Sequence, residues 1–272
     1  MKILITGATG FLGTELTRYF MQQTNNNVVI YARNEVKLAD AYDNPRITKV
    51  LGDIRDYDNL YFACRDNDVD VIIHAAALKR IDICQDHPME ANKTNIDGTI
   101  NCINVCKHLG TKLCFISTDK ACEPCTTYGS TKYLAEQLVR RESQKGYFMG
   151  MVVRYGNVLN STGSVLKIWE KQIKKRGKVQ VRDINMTRFF WTVEDSVVFI
   201  DKAINKENIK AGEVLIPKIK SLNIHDMAVY LYGREKIIVT SCSHTEKTHE
   251  SLSGDYCSKD HVVHPKELLC PK

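Results

Sequence analysis

The segment Thr6-Gly7-Ala8-Thr9-Gly10-Phe11-Leu12-Gly13 follows directly on the apolar run Ile3-Leu4-Ile5 and opens an amphipathic stretch. Few features restrict a fold so tightly. Glycines three apart between a strand and a helix permit a tight turn, let the backbone approach a pyrophosphate, and let the helix pack closely on the strand. The first N–H groups of that helix then face the phosphates without partners of their own. A glycine triplet alone is weak evidence, but at the head of a strand–helix alternation it predicts a dinucleotide site. Gly7, Thr9, Gly10, Phe11, Leu12 and Gly13 are expected along the cofactor.

The alternation is present. Strand-like runs are expected at Lys2–Thr6, Asn27–Tyr31, Ile47–Leu51, Val69–His74, Lys112–Ile116 and Gly150–Arg154, with helices between them near 11–23, 34–41, 56–67, 88–109 and 128–146. This is the pattern of an α/β fold, a doubly wound parallel sheet with helices on both faces. After Arg154 the rhythm changes. Irregular sequence to Ser164 leads to a helix at 164–176, the segment Val179–Phe190, a helix from Val193, a strand-like Glu213–Ile216 and a helix near Ile224–Tyr232. Residues 1–155 are therefore read as a dinucleotide-binding domain. Residues 156–272 are read as a smaller lobe, interleaved with the first and covering the carboxyl edge of the sheet, where such folds bind ligands.

Composition narrows the function classes. The 272 residues are 43% hydrophobic and 26% charged, as in a soluble globular protein. A net charge of +6 suits an anionic ligand. The basic run Lys171 to Lys178 lacks interleaved aromatics and reads as a solvated helix end, so no nucleic-acid partner is expected. The apolar stretches fall short of the ~20 residues of a membrane helix, and no charged-then-apolar leader opens the sequence. Ten scattered cysteines fit reduced thiols, and a cytoplasmic location is expected. Cys122-x-x-Cys125 has no second Cys or His pair at finger-like spacing nearby, so incidental thiols are expected and no metal.

Further residues belong to the same cofactor. An acidic residue at the tip of the second strand would bind the 2′-hydroxyl of NAD. Here the tip reads Tyr31-Ala32-Arg33-Asn34, so Arg33 suits a 2′-phosphate and NADP is expected ahead of NAD. Asp53 and Ile54, after the third strand, are placed to reach the adenine edge; Asp53 serves equally well as the cap of the next helix. Ala75-Ala76-Ala77 closes the fourth strand with small side chains that leave room for a flat ligand, and Lys79 beyond them suits a phosphate or hydroxyl. Asn95, an amide within a helix of apolar turns, either pins a kink beside the site or faces solvent.

The chemistry concentrates at the end of the fifth strand. Leu113-Cys114-Phe115-Ile116 runs into Ser117-Thr118-Asp119-Lys120, and eight residues beyond Lys120 a helix start carries Tyr128, with Lys132 four residues later on the same face. An ammonium beside a phenol favours the phenolate, so Tyr128 is expected as a base at neutral pH. Titratable groups of opposed sign at one strand edge point to proton chemistry.

With these motifs in order, the chain resembles the extended short-chain dehydrogenase/reductase family. Ser117-Thr118-Asp119-Lys120-Ala121, Tyr128-Gly129-x-Thr131-Lys132, Arg154-Tyr155-Gly156-Asn157-Val158, Gly163-Ser164-Val165, Met186-Thr187-Arg188-Phe189 and Ala75-Ala76-Ala77-Leu78-Lys79 are similar to the UDP-N-acetylglucosamine 4,6-dehydratases. Lys120 after the acid, and Tyr128 itself, resemble the soluble C5-inverting type. The C-terminus departs: Ser243 stands where the family pattern Arg-x-Gly-Glu-Lys-x-x-Glu has its arginine, leaving Arg188 or Arg234 to contact the diphosphate.

The resemblance implies an internal redox cycle on a UDP-sugar. Tyr128, kept as phenolate by Lys132, takes the 4-hydroxyl proton as hydride leaves C4. Lys120, as a neutral amine, removes the C5 proton; Asp119, kept protonated, gives its proton to the departing 6-hydroxyl; Thr118 bonds the 4-oxygen. Tyr155, Asn157 and Val158 are implied at the cofactor, and Asn157, Ser164, Val165, Thr187 and Arg188 at the nucleotide of the substrate. A homo-oligomer, a dimer or larger, through the helices near 88–109 and 128–146 is also implied, with a reductase or epimerase acting downstream. The competing readings are a nucleotide-sugar 4-epimerase or 4-reductase, which has no use for Asp119 with Lys120, and a dinucleotide-binding regulator without chemistry.

Overall fold

The alternating runs resolve into βα units in the computed structural model, which describes residues 1–241 and 246–269. In chain order the first half comprises β1 (Lys2–Thr6), α1 (Phe11–Gln23), β2 (Asn27–Ala32), α2 (Glu35–Ala39), β3 (Ile47–Leu51), α3 (Tyr57–Arg65), β4 (Val71–His74), α4 (Ile81–Asp86), α5 (Pro88–Asn92), α6 (Gly98–Leu109), β5 (Lys112–Thr118), α7 (Thr127–Ser143) and β6 (Gly150–Tyr155). Strands β1, β4 and β5 are buried almost end to end, which is why they read as continuous apolar runs. Helix α1 buries Gly13, Leu16, Thr17 and Phe20 along one stripe against the sheet.

The second half adds β7 (Asn157–Val158), α8 (Val165–Arg176), β8 (Val179–Val181), β9 (Thr187–Trp191), α9 (Val193–Ile204), β10 (Glu213–Leu215), β11 (Lys220–Asn223), α10 (Ile224–Tyr232), β12 (Ile237–Val239), β13 (Ser251–Ser253), β14 (Tyr256–Cys257) and α11 (Pro265–Leu269). The central sheet runs β3-β2-β1-β4-β5-β6-β10, all seven strands parallel. Strand order reverses between β1 and β4, so a crevice opens at their carboxyl ends, the place where doubly wound sheets take ligands. Separate from it are a three-stranded sheet, β11-β9-β7, and the pairs β12-β8 and β13-β14.

Two differences from the sequence reading have local causes. The helix expected over 88–109 is interrupted by a π-helical turn at Lys93–Asp97, and a short helix, α4, precedes it. Asn95 pins that turn: its Oδ1 accepts from the Leu78 N–H at 2.8 Å, and its Nδ2 donates to Leu78 O at 2.9 Å and Thr131 Oγ1 at 3.0 Å. The strand at Glu213–Leu215 leaves its sequence neighbours and pairs with β6 as the edge of the main sheet. The segment around Leu252 folds back onto the main sheet. Leu252 is fully buried, its carbonyl accepts from Arg154 Nη1 at 2.8 Å, and Arg154 is itself paired with buried Glu136.

Candidate active site

The turn after β1 behaves as its glycines require. Gly7 takes φ +68° with its N–H donating to Tyr31 O at 3.0 Å. A Cβ on Gly13 would lie 2.4 Å from Gly7 O and 2.5 Å from Ala8 Cα, so any side chain there would push helix and strand apart. The N-terminus of α1 has no side-chain cap, which leaves its N–H groups to a ligand. A Cβ on Gly7 would meet Ala76 Cα at 2.9 Å, so the Ala75–Ala77 segment closes over the turn from β4. These residues, with Thr9, Gly10, Phe11, Leu12, Arg33, Asn34, Asp53 and Ile54, line one cleft of about 1130 Å³. A cradle that a Cβ would fill, at an uncapped helix start, fits a dinucleotide.

Some of these side chains carry other duties as well. Asn34 caps α2, accepting from the Lys37 N–H at 2.9 Å. Asp53 does not cap α3; Asp56 does, accepting from the Asn59 N–H, while Asp53 accepts from the Arg55 guanidinium at 3.0 and 2.7 Å and from the Arg55 backbone N–H at 3.0 Å. The Arg55 hydrogen bond holds the Asp53 carboxyl below its usual range. Asn95 does not line the cleft and reaches the site only through Leu78 and Thr131.

At the carboxyl end of β5 the acid–base groups meet. Thr118 Oγ1 donates to Asp119 Oδ1 at 2.9 Å, Lys120 Nζ donates to the same oxygen at 3.0 Å, and the Tyr128 phenol lies among Thr118, Asp119 and Lys120. Thr118, Lys120, Tyr128 and Lys132 line the cleft; Asp119 is fully buried behind them, its Oδ2 without a hydrogen-bond partner among the described residues. The tight path into α7 depends on Gly129, where a Cβ would stand 2.4 Å from Lys120 O. Helix α7 is capped by Thr126, which accepts from the Gly129 N–H at 3.0 Å.

The charge states differ from the expectation. Burial pushes the Tyr128 phenol up to about 12, with Lys120 and the Thr118 hydroxyl pulling the other way and Asp119 adding to the rise. Burial pushes the Lys132 amine down to about 7, against a smaller opposing pull from Glu136. In the protein alone, then, the phenol keeps its proton, because loss of water outweighs the favourable charges nearby. Lys132 Nζ donates to Ile116 O at 2.6 Å and sits 3.8 Å from the centre of the Phe115 ring. Lys120 is shifted in the opposite sense to that expected. Burial works to lower it and Arg188 adds to that, but Asp119 and Glu250 prevail and hold it above the usual lysine value.

On the substrate side, Ser164 and Val165 open α8 at the cleft, and the Ser164 hydroxyl makes no capping bond. Asn157, with Nδ2 donating to Phe189 O at 3.3 Å, lines the same wall as Tyr155 and Val158; Lys79 lies exposed at the rim. Thr187 does not line the cleft: its hydroxyl bonds His249 Nδ1 at 2.8 Å and Ser258 Oγ at 2.7 Å, fastening the C-terminal segment. Arg188 lines the cleft, but its guanidinium donates to the carbonyls of Thr187, Thr248 and Lys247. Arg234 is exposed and away from the cleft, and Ser243 lies outside the described residues. Sequence reasoning missed Lys167 and Lys171, one turn apart on α8, and Arg182. The run Lys171 to Lys178 reads in sequence as one solvated helix end, whereas helical spacing turns Lys171, with Lys167 before it, to the cleft and leaves Lys174 and Lys175 off it.

A doubly wound sheet, a dinucleotide cradle and a Thr/Asp/Lys/Tyr/Lys cluster define a short-chain dehydrogenase/reductase of the extended kind. Residues 3–271 match the family described as polysaccharide biosynthesis protein, and the chain belongs to it. A curated relative is the UDP-N-acetylglucosamine 4,6-dehydratase (inverting) of Campylobacter jejuni, 38% identical over 265 residues that cover 92% of this chain and 77% of the relative. The UDP-glucose 4-epimerase of Rickettsia bellii is 34% identical over the same length, covering 92% and 76%. Among solved structures, Pen from Bacillus thuringiensis superposes with a TM-score of 0.87 at 29% identity, covering 98% of this chain and 96% of its own.

Proposed function

We propose that this protein is a UDP-N-acetylglucosamine 4,6-dehydratase of the C5-inverting type, a hydro-lyase using NADP. The observation that carries the reading is the hydrogen-bonded run Thr118–Asp119–Lys120, with Thr118, Lys120 and Tyr128 on the wall of a dinucleotide cleft and Asp119 directly behind it. The relatedness to the Campylobacter enzyme supports it. Arg33 and Lys37 face the cleft near the tip of β2 with no carboxylate between them in sequence except Glu35, which the cleft lining omits; this supports NADP.

NADP⁺, held by the Gly7–Gly13 turn, Arg33 and the Ala75–Ala77 segment, would supply hydride chemistry at C4 and C6 and a positive charge whose sign favours the Tyr128 phenolate. Tyr128 then takes the 4-hydroxyl proton, with Thr118 bonding the 4-oxygen. The ketone acidifies C5–H. Lys120 accepts that proton while Asp119 gives one to the 6-hydroxyl, so that the C6–O bond breaks and water leaves. The resting pair holds its proton on Lys120. The reactive arrangement differs by moving it along the 3.0 Å bond to Asp119, with no change in net charge, and a closed dry site favours the uncharged pair. Asp119 Oδ2 has no hydrogen-bond partner among the described residues and lies behind the cleft wall, so the 6-hydroxyl would have to enter between Thr118 and Lys120 to meet it. A proton added to C5 from the opposite face completes inversion.

Residues 1–155 serve the cofactor and 156–272 the nucleotide sugar, with β10 lent to the main sheet. Exposed Ile100, Tyr133 and Leu134 on α6 and α7 support a homo-oligomer through that face. The product, a reactive ketone, calls for a downstream reductase or other sugar-modifying enzyme. No helix among the described residues is long and apolar enough to cross a membrane, and we place the protein in the cytoplasm. The test is Lys120→Ala. Water loss from UDP-N-acetylglucosamine is expected to fall by at least about a hundredfold, and elimination at the parent rate would refute the role. The Rickettsia relative favours a 4-epimerase as second reading; an epimerase would return a UDP-hexose of unchanged mass.

A further inference from the structure

The C-terminal segment reaches the catalytic pair from a side the reaction scheme leaves unused. Lys120 lines the main cleft, and also a second, small pocket of about 50 Å³ that Glu250, Lys247, Arg188 and Thr126 enclose. Glu250 lines only the second, so it meets Lys120 outside the main cleft. Its Oε1 is 3.9 Å from Lys120 Nζ. Its backbone is fixed on both sides, the N–H donating to Ser258 Oγ at 2.9 Å and the carbonyl accepting from the Ser258 N–H at 2.8 Å.

A carboxylate buried to 4% exposure needs a reason to be there. Lys247 supplies part of one: its Nζ sits 3.0 Å from Glu250 Oε2, off the hydrogen-bonding direction, while donating to Cys122 O at 2.7 Å. Cys122 lies in the loop between Lys120 and Tyr128. The segment is thus fastened to the catalytic loop by one bond and to β9 by the Arg188 and Thr187 bonds. These fastenings fix where the Glu250 charge sits relative to Lys120.

Resting on the dehydratase reading, we infer that Glu250 is a positioning residue for Lys120: the amine is held between Asp119 on its own turn, 3.0 Å away, and Glu250 on the C-terminal segment, 3.9 Å away. Glu250 sets both the direction of the amine and the ease with which it gives up a proton. The charged and titratable groups facing Lys120 are Asp119 on its own turn, Cys125 in the following loop, Tyr128 on α7, Arg188 on β9, and Glu246, Lys247 and Glu250 on the C-terminal segment. Of the three carboxylates, Glu250 is the one that pairs with Lys120 from outside the catalytic turn, Glu246 being bound to Arg182 at 2.6 Å. At 3.9 Å in a poorly hydrated pocket, a unit charge is expected to move the amine's ionisation by about one unit or more.

Trace labelling with acetic anhydride across a pH series, read by mass spectrometry on the peptide containing Lys120, reports that amine's ionisation midpoint without needing turnover. It therefore gives a result even if UDP-N-acetylglucosamine is not the substrate, which the product assay decides separately. In Glu250→Gln the midpoint is expected to fall by about one unit, raising labelling at pH 8 about tenfold. The pH-dependent limb of water loss should move the same way, with KM for the nucleotide sugar unchanged. Glu250→Asp keeps the charge but withdraws it, so a smaller fall is expected; it decides the matter if the Gln variant does not fold. A midpoint that rises, or stays within about 0.3 unit of the parent in the folded variant, overturns the inference.

Discussion

Lys132 offers a prediction in which activity and stability part company. The amine is fully enclosed and burial pushes it down to about 7, against 10.5 for an ordinary lysine. Between those values the unfolded chain holds a proton that the native state does not, so unfolding takes one up and stability rises with pH. The native advantage is fully present above about 10.5, shrinks as pH falls, and levels off below about 7. At about 1.4 kcal/mol per unit, the whole window amounts to about 5 kcal/mol. From pH 7 to 9 the gain is about 2 kcal/mol, since the native amine is still half protonated at the start. Lys132→Met removes this proton and keeps most of the volume. Urea denaturation of both proteins at pH 7 and pH 9 is the assay. The parent is expected to gain about 2 kcal/mol more than the variant, and the variant to equal or exceed the parent at pH 7 while losing water elimination. Identical pH dependence in the two would refute the argument that Lys132 is carried in a largely uncharged form.

The ion pair Arg154–Glu136, with Glu136 fully buried, supports both α7 and the C-terminal segment. Glu136→Gln is expected to lower stability by about 3–5 kcal/mol in denaturant titrations, because it leaves a buried guanidinium unpaired. Arg33→Asp should exchange NADP preference for NAD, weakening NADP by about ten- to a hundredfold in fluorescence titrations; an unchanged ratio would remove Arg33 from the 2′-phosphate.

The parts that were legible in the sequence are those where one residue type answers to one local geometry. Gly7, Gly10 and Gly13 fixed a turn that the packed positions at Gly13 and Gly7 confirm atom by atom. The strand edge carrying Thr118 to Lys120 was visible because β5 is buried along its length and so reads as an unbroken apolar run. What was not legible came from distant contacts. Nothing near Thr187 in sequence announces that its partners are His249 and Ser258, or that the Arg188 guanidinium is taken up by carbonyls of the tail. The π-turn at Lys93–Asp97 depends on Asn95 meeting Leu78 and Thr131, which no periodicity encodes. The protonation of Tyr128, Lys132 and Lys120 followed burial and Glu250, neither of which a four-residue spacing reveals.

The central claim is that one pocket oxidises, dehydrates and re-reduces a single hexose, and product analysis tests it most directly. UDP-N-acetylglucosamine incubated with the protein and catalytic NADP⁺ in heavy water should yield a 4-keto sugar lighter by one water. It should carry one solvent deuteron at C5 in the inverted configuration, with no net reduction of the cofactor. A product of unchanged mass, or accumulation of reduced cofactor in step with product, would contradict the account.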